Sequence, residues 1–333
     1  MRAKLIKELF KIRNPHLVPS PSDLKKLEKK VMSVSKENVS IHGLSKKAVF
    51  ELTTARNRNL IKPDQQHSLR TFPVGFFGMS VGSHAALSWM LVSRAELIKI
   101  VDPDTIDASN LNRLRFGWSS VGKFKIDIVK EQLKDMYPDG SIIASKKTDA
   151  ISVQDIFDKN TAIEAVVDEI DDFPSKILLR KLAKERRIPL ISAADVGDNV
   201  MVDIERYDID AKYPFFHGRE KNLENLELAK LTEQELRRLI IKLVGFEHNS
   251  EQMINSLFGI GASIPTWPQL GTTATIAGGI VATLLKKIRL GERVDSGRYY
   301  VSLDNIFVSD FMSSENTGRR ERKVSHIKKM LKI

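Results

Sequence analysis

Apolar residues fall at helical spacing through the first seventy positions and then change rhythm. Leu24, Leu27, Val31 and Val34 stand three and four apart behind the segment SPSD, where Ser22 is the expected helix cap. A basic amphipathic helix precedes them in MRAKLIKELFKIRNP, and a third is predicted around SKKAVFELTTARNRNLI, before Pro63. From Pro73 short apolar runs alternate with helical patterns. Val74–Phe77 reads as a strand, Ala85–Val92 as a helix, Glu96–Asp102 as a strand, and Lys125–Met136 as a helix ended by Tyr137-Pro138-Asp139-Gly140. Strand Ile163–Glu169, helix Ser175–Arg187, strand Ile188–Ala193 and strand Val200–Tyr207 follow.

That alternation predicts an α/β fold: a Rossmann-like, mostly parallel sheet with helices on both faces. A polar helical insertion over 222–257 comes next, then the apolar helix Thr272–Leu285. Arg298–Asp304 reads as an antiparallel strand at the C-terminal side of the sheet. The expected organisation is a small helical N-terminal region (1–70), an α/β domain (71–312) and a polar, basic tail (313–333) that stays mobile until it docks.

Composition narrows the classes. No apolar run reaches the roughly 18–20 residues of a membrane helix, and Thr272–Leu285 stops at Lys286-Lys287, so it reads as a helix packed inside the protein. The N-terminus has no small-residue cleavage site or secretory apolar core, and Glu8 sits in its middle, which favours a surface helix and a cytoplasmic protein. The chain has no cysteine, which excludes disulfides, cysteine-ligated zinc, iron–sulfur clusters and an enzyme-bound thioester. Its 7 histidines show no metal-ligand spacing, so no structural zinc is expected.

Charge is uneven. The net is +10 over residues 1–70, +5 over residues 315–333 and −4 between them. Basic ends suit an acidic partner or nucleic acid, although a run such as LKKLEKK is more often a solvated helix face.

Chemistry enters at VGFFGMSVGSHAALSWML. Gly75, Gly78 and Gly82 flank a strand-to-helix turn of the kind that brings backbone N–H groups to a phosphate. Asp102 ends the next strand, where a dinucleotide fold places its ribose-binding acid. The spacing G-x-x-G-x-x-x-G departs from the dinucleotide fingerprint, and glycines needed only for tight packing remain an alternative. The residues beyond Asp102 add Asn110, Arg113, Lys125 and several aspartates in loops at strand C-terminal ends. A triphosphate with Mg²⁺ needs such polyvalent charge; a nicotinamide does not.

These motifs resemble the ThiF/MoeB/HesA family, the adenylating fold shared with ubiquitin-activating enzymes. The resemblance runs from about Arg56 to Arg206, with a weaker echo through PQLG and LGE to Leu303. It rests on Asp102, Ser109-Asn110-Leu111-Asn112-Arg113, Val121-Gly122-Lys123-Phe124-Lys125 and Asp168-Glu169-Ile170-Asp171-Asp172. It implies ATP as substrate, with Gly78, Ser80 and Gly82 in the nucleotide loop and Asp102 on the ribose. Asn110, Arg113 and Lys125 would contact the phosphates, and Asp171 would hold Mg²⁺. An arginine reaching into a partner subunit, Arg58 or alternatively Arg56, would make the enzyme a homodimer with composite ATP sites.

The implied reaction adenylates a carboxylate, such as a peptide or small-protein C-terminus, with transfer of the acyl group to an external nucleophile. Three departures stand out: Met79 and Ser80 replace loop glycines, Asp172 replaces an asparagine, and the family's catalytic cysteine and four-cysteine zinc site are absent. A non-catalytic nucleotide-binding scaffold and an NAD- or FAD-dependent oxidoreductase are the alternatives. Nucleic acid is a less favoured partner, and no membrane is expected. Among the remaining residues, His217 reads as structural, His84 as a first-turn helix residue or a phosphate contact, Trp267 as core, and Gln269 as lining for the acyl group.

Overall fold

A computed structural model describes residues 1–32, 38–158, 161–221, 223–226, 228–245, 249–256 and 259–331. Helices α1 (Arg2–Arg13), α2 (Pro21–Val31), α3 (Lys46–Thr54) and α4 (Pro63–Arg70) precede the first strand, β1 (Val74–Phe77). Ser20, and not Ser22, caps α2. Its Oγ accepts the Asp23 N–H at 3.2 Å while Asp23 Oδ2 accepts the Ser20 N–H at 3.0 Å. Pro21 then takes the first helical position, where its missing donor costs nothing. Val34 lies outside the described residues.

Then follow α5 (Val81–Ser93), β2 (Leu97–Val101), α6 (Lys125–Met136), β3 (Ser141–Ser145), α7 (Ala150–Asp158), β4 (Ala165–Asp168), α8 (Phe173–Glu185), β5 (Leu190–Val196) and β6 (Asn199–Glu205). The C-terminal part adds α9 (Glu233–Val244), α10 (Glu251–Ser256), α11 (Gly271–Arg289), β7 (Gly297–Ser302), α12 (Leu303–Phe307) and α13 (Ser314–Leu331). Both ends of the expected 222–257 insertion, Asn222 and Leu257, lie outside the described residues. Elements β3 and α7 escape the pattern reading, since SIIAS is a five-residue strand with no polar alternation.

The seven strands form one sheet in the order β3-β2-β1-β4-β5-β6-β7. The pairs β3–β2, β2–β1, β1–β4 and β4–β5 are parallel, whereas β5–β6 and β6–β7 are antiparallel. The chain leaves β1 toward β2 and β3, then returns to lay β4 on β1's other side. Between β1 and β4 the strand order therefore reverses, and such a switch point is where open α/β sheets bind ligands.

Two apolar layers cover the sheet. Val74, Phe76, Ile98, Ile100 and Val202 share one cluster with α5, α6 and α11, and Ile6, Leu9, Val31 and Leu44 join it. The N-terminal helices thus pack on the same core as the sheet, and each fully buried aliphatic side chain contributes about 1.5–3 kcal/mol. On the opposite face Phe77, Val101 and Val166 pack with α7 and α8. The expected apolar helix forms as α11, burying Ala274, Ala277, Val281 and Leu285. Its Gly278 lies so close to α5 that a Cβ there would sit 2.5 Å from the His84 carbonyl carbon.

Two expectations change. The tail, expected to stay mobile until it docks, forms α13, whose Val324 and Ile327 pack with Ile254 of α10. Trp267 is half-buried and belongs to neither of the two large clusters. Among the described residues, no helix is long and apolar enough to cross a membrane.

Candidate nucleotide site

The glycine turn is first a matter of steric fit. Gly78 has φ +89°, and a Cβ on it would lie 2.2 Å from the Glu169 carbonyl oxygen. Only glycine allows β1 to end against β4 in this way. A Cβ on Gly75 already meets Ile163 Cδ1 at 2.8 Å, and a Cβ on Gly82 would touch the Glu169 side chain at 3.4 Å, an ordinary contact. The packing alternative therefore holds for Gly75 and Gly78.

The turn also has a functional geometry. It delivers the first turn of α5, with N–H groups that have no intrahelical partner, to the C-terminal edge of the sheet. Ser80 stands at the helix cap without capping it, and its Oγ accepts Arg113 Nε at 3.3 Å.

Asp102 follows β2 directly and is 4% exposed. Its Oδ2 accepts the Met79 N–H at 2.6 Å and its Oδ1 the Asp104 N–H at 2.8 Å. Burial pushes its carboxyl above the usual range, against the pull of Lys125 and these two N–H groups. The ammonium of Lys125, buried at the start of α6, lies 2.7 Å from Asp104 Oδ2 and 3.9 Å from Asp102 Oδ1.

The Asp107–Arg113 segment folds on itself. Asn110 is 8% exposed, and its Oδ1 accepts the Asp107 N–H at 3.1 Å. Its side chain therefore braces the loop from within. Arg113 donates from Nη1 to Ser109 O at 3.3 Å and to Asn112 Oδ1 at 3.1 Å. It makes no ion pair among the described residues, so its charge remains available at the mouth of the site. His84 lies beneath it, 2% exposed, with Nε2 2.6 Å from the Arg113 carbonyl oxygen. It is a brace and not a phosphate contact.

The DEIDD segment divides its acids. Asp168 is fully buried between Arg180 Nη1 at 2.7 Å and Lys176 Nζ at 3.2 Å, and these cations hold it below the usual carboxylate range. Arg180 also pairs with Glu205 at 2.8 Å. Asp172 caps α8, accepting the Ser175 N–H at 2.9 Å, which accounts for an aspartate at that position. Asp171 is exposed and makes no hydrogen bond or ion pair among the described residues. Among the described residues no three His, Cys, Asp or Glu side chains gather as a metal site. A free carboxylate at a strand end still fits Mg²⁺ that brings its own waters and a nucleotide's phosphates.

Gly78, Ser80, Gly82, Asp102, Asn110, Arg113, Lys125 and Asp171 thus converge on the loops after β1, β2 and β4. Arg58 does not join them in its own chain. It donates to Ile12 O at 2.9 Å and to Glu51 Oε1 at 3.0 Å. Arg56 is exposed and has no partner among the described residues.

Two acids to which the motif reading gave no role stand at the ends of β4 and β5. Glu169 Oε1 accepts the Ala193 N–H at 2.8 Å. Asp195, two residues further along β5, accepts Gln269 Nε2 at 3.0 Å. His217, as expected, is structural: it bridges Tyr213 and Asp203, each at 3.0 Å.

A parallel sheet, a helix N-terminus at its switch point, and an acid, two cations and a free carboxylate around it define an α/β protein built to hold a phosphorylated nucleotide. Residues 54–324 match the ThiF family, and the chain belongs to it. The chain is 27% identical over 248 residues to the uncharacterized protein MT1398 of Mycobacterium tuberculosis, covering 74% of this chain and 34% of that one. It is 34% identical over 157 residues to a tRNA threonylcarbamoyladenosine dehydratase of Bacillus subtilis, covering 46% of this chain and 60% of that one. The chain therefore spans about a third and three fifths of these relatives' lengths.

Among solved structures, PaaA superposes with a TM-score of 0.55 at 17% identity, over 92% of this chain and 94% of that one. Escherichia coli MccB, solved with AMPCPP and MccA, gives 0.53 at 15% identity, over 90% and 84%. These likenesses bear out the fold and the family resemblance.

Proposed function

We propose that this chain activates a carboxylate by adenylation and passes the acyl group to an external nucleophile. The observation that carries this reading is the Arg113 guanidinium. Among the described residues it makes no ion pair; it is braced by His84 and set against Ser80 at the start of α5, where Lys125 and Asp102 also converge.

The substrate carboxylate is already a nucleophile, so the protein needs no side-chain nucleophile. Its oxygen attacks the α-phosphorus of ATP, the bond to the bridging oxygen breaks, and pyrophosphate leaves. Asp102 accepts from the ribose hydroxyls, and Arg113, Lys125 and the α5 N–H groups neutralise charge developing on the phosphates. Mg²⁺ held by Asp171 would supply further charge neutralisation when bound. Asn110 contributes by keeping the Arg113 loop in shape. With no cysteine in the chain, the acyl group moves from the adenylate directly to its acceptor.

In this reading Arg58, or alternatively Arg56, reaches into the triphosphate site of a second copy, and the working unit is a homodimer; both arginines are exposed on the N-terminal region. The substrate is a peptide or small-protein C-terminus, in a soluble, cytoplasmic setting. The MccB structure with MccA and a nucleotide analogue supports this choice. The dehydratase relative and the basic ends favour a second substrate class, a carboxylate-dependent step on tRNA. That class predicts steeply salt-dependent RNA binding. A scaffold has no physical need for the charge set around Arg113, and an oxidoreductase leaves it without a role.

Calorimetric titration with ATP and Mg²⁺, beside NAD(P) and FAD, tests the reading. ATP binding weakened in Arg113→Ala and Asp171→Ala supports it and opens a screen of carboxylates by pyrophosphate exchange. Dinucleotide binding without ATP binding overturns it. In that exchange assay Arg113→Ala should lose on the order of 10²–10⁴ in rate.

A further inference from the structure

Asp195 is the least satisfied acid in the molecule's ligand-binding edge. It is 4% exposed, at the C-terminal end of β5. Its Oδ1 accepts from Gln269, whereas its Oδ2 is buried and meets no donor in good hydrogen-bond geometry among the described residues, although the Leu270 N–H and its own N–H help to hold the carboxylate's charge. A buried carboxylate oxygen without a donor is costly, and native structures keep one where a ligand or ion supplies what is missing.

Three neighbours define the recess. Glu169 lies on the same side, its carboxylate held at Ala193, which precedes Asp195 by two residues on the same strand face. Arg113 faces Asp195 from the other loop and offsets part of its charge. The two sides are tied together, because Asn112 Nδ2 donates to Gln269 O at 2.8 Å while Gln269 Nε2 donates to Asp195. Gly271 makes this closeness possible, since a Cβ there would meet the Asn112 carbonyl oxygen at 2.5 Å. Asp195 thus stands at the end of β5, on the opposite side of β1 in the sheet from Asp102 at the end of β2, with Arg113 between the two.

We infer that Asp195 receives the acceptor of the activated acyl group, and that this acceptor is a primary amine bound as its ammonium ion. The inference rests on the adenylation reading above. An ammonium supplies both missing items, a positive charge and N–H donors for Oδ2. A thiolate or a second carboxylate meets repulsion from Asp195, and burial, which pushes the Glu169 carboxyl well above the usual range, offers such an anion no cation there. A neutral alcohol donates one hydrogen bond and leaves the charge uncompensated. Timing reinforces the choice: once Arg113 turns to a phosphate, its charge is spent there, and Asp195 loses the guanidinium that offset part of its own charge as the adenylate forms.

The step balances. The ammonium gives one proton to Asp195, and the freed nitrogen lone pair attacks the acyl carbon of the adenylate. The carbon–oxygen bond to the phosphate breaks, AMP leaves with that electron pair, and the nitrogen loses a second proton to solvent. The products are an amide, AMP and two protons, and no oxidant or further co-reactant is required.

The test uses the full chain saturated with AMPCPP, with n-butylammonium chloride as probe and saturation-transfer NMR as readout. Butylammonium is expected to bind saturably, and tetramethylammonium and n-butanol are not, since one lacks N–H donors and the other lacks charge. Asp195→Asn, checked for folding by thermal melting, is expected to weaken butylammonium by about tenfold or more, the worth of a charge-assisted hydrogen bond. Equal binding of tetramethylammonium to the wild-type chain overturns the inference without recourse to any variant. So does unchanged butylammonium affinity in Asp195→Asn, or displacement of butylammonium by MgCl₂ alone, which would make the recess a metal site. Failure of AMPCPP itself to bind the wild-type chain counts against the adenylation reading, and so separates the two ideas.

Discussion

The imidazole of His84 holds the backbone of Arg113: Nε2 lies 2.6 Å from the Arg113 carbonyl oxygen, while Thr275 of α11 lies 3.4 Å from Nδ1. A histidine in the first turn of α5 thus spans from α11 to the loop that carries the Arg113 guanidinium. Replacing it with leucine keeps the volume and removes both contacts. The expected result is AMPCPP binding weakened by about tenfold, the worth of one to two hydrogen bonds, with a modest drop in thermal stability. Calorimetry on His84→Leu and His84→Gln checks this, the glutamine variant retaining more affinity. Equal affinity in both variants and the wild type would show that the loop stands without its brace.

The same histidine gives a pH dependence with a definite sign. Burial holds its pKa below the ordinary value, against the pull of the Arg113 carbonyl. The unfolded chain therefore binds a proton that the folded chain resists. His84's contribution is whole above roughly pH 6.5 and drains away as the pH falls toward its lowered folded-state pKa. Urea unfolding at a series of pH values, comparing the wild type with His84→Gln, should show a flatter acid limb in the variant.

Gly78→Ala sets a methyl group against the Glu169 carbonyl and keeps an unfavourable φ of +89°. The expected destabilisation is about 2–4 kcal/mol, read as a lower urea midpoint with an unchanged slope. A loss below about 0.5 kcal/mol, within the range of neutral surface changes, would mean that β1 and β4 can part without penalty.

Arg180→Met leaves Asp168 and Glu205 buried and facing each other without their common cation. Breaking a buried pair in this way costs about 3–5 kcal/mol. Loss should ease at low pH, where the acids take up protons. Melting temperatures of variant and wild type that converge toward pH 4 would bear this out, and a constant gap would refute it.

The composite-site proposal has a mixing experiment. Arg58→Ala and Arg113→Ala proteins, each deficient in AMPCPP binding, are unfolded together and refolded. If Arg58 serves the partner's site, every mixed dimer regains one intact site. If Arg58 acts within its own chain, through Glu51 and Ile12, mixing restores nothing.

Much of the scaffold was legible because its signals are local. The all-buried run of β1 and the helix patterns of Lys125–Met136 and Ser175–Arg187 depend on neighbours a few residues away. The motif residues converged because each sits one loop beyond a strand end, a place that topology dictates. Asp195 and Glu169 were hidden for the opposite reason. Their adjacency is made by the pairing of β4 with β5, and no spacing along the chain encodes it. The split of DEIDD into a buried ion pair, a cap and a free acid was hidden too, since three chemically identical carboxylates differ only in what surrounds them. In the tail, Val324 and Ile327 needed Ile254 as partner before α13 could be read as docked helix.

Gly278 presses α11 against the back of His84, and Gly271, at the same helix's start, presses on the Arg113 loop. One rigid rod therefore bears on the nucleotide edge at two points two turns apart, like a lever with two fulcra. Side chains exposed along that rod lie away from this edge, yet a slight tilt of it would shift the Arg113 loop and His84 together. Such positions offer selection a coarse control on the geometry of this edge, separate from the charged residues that line it.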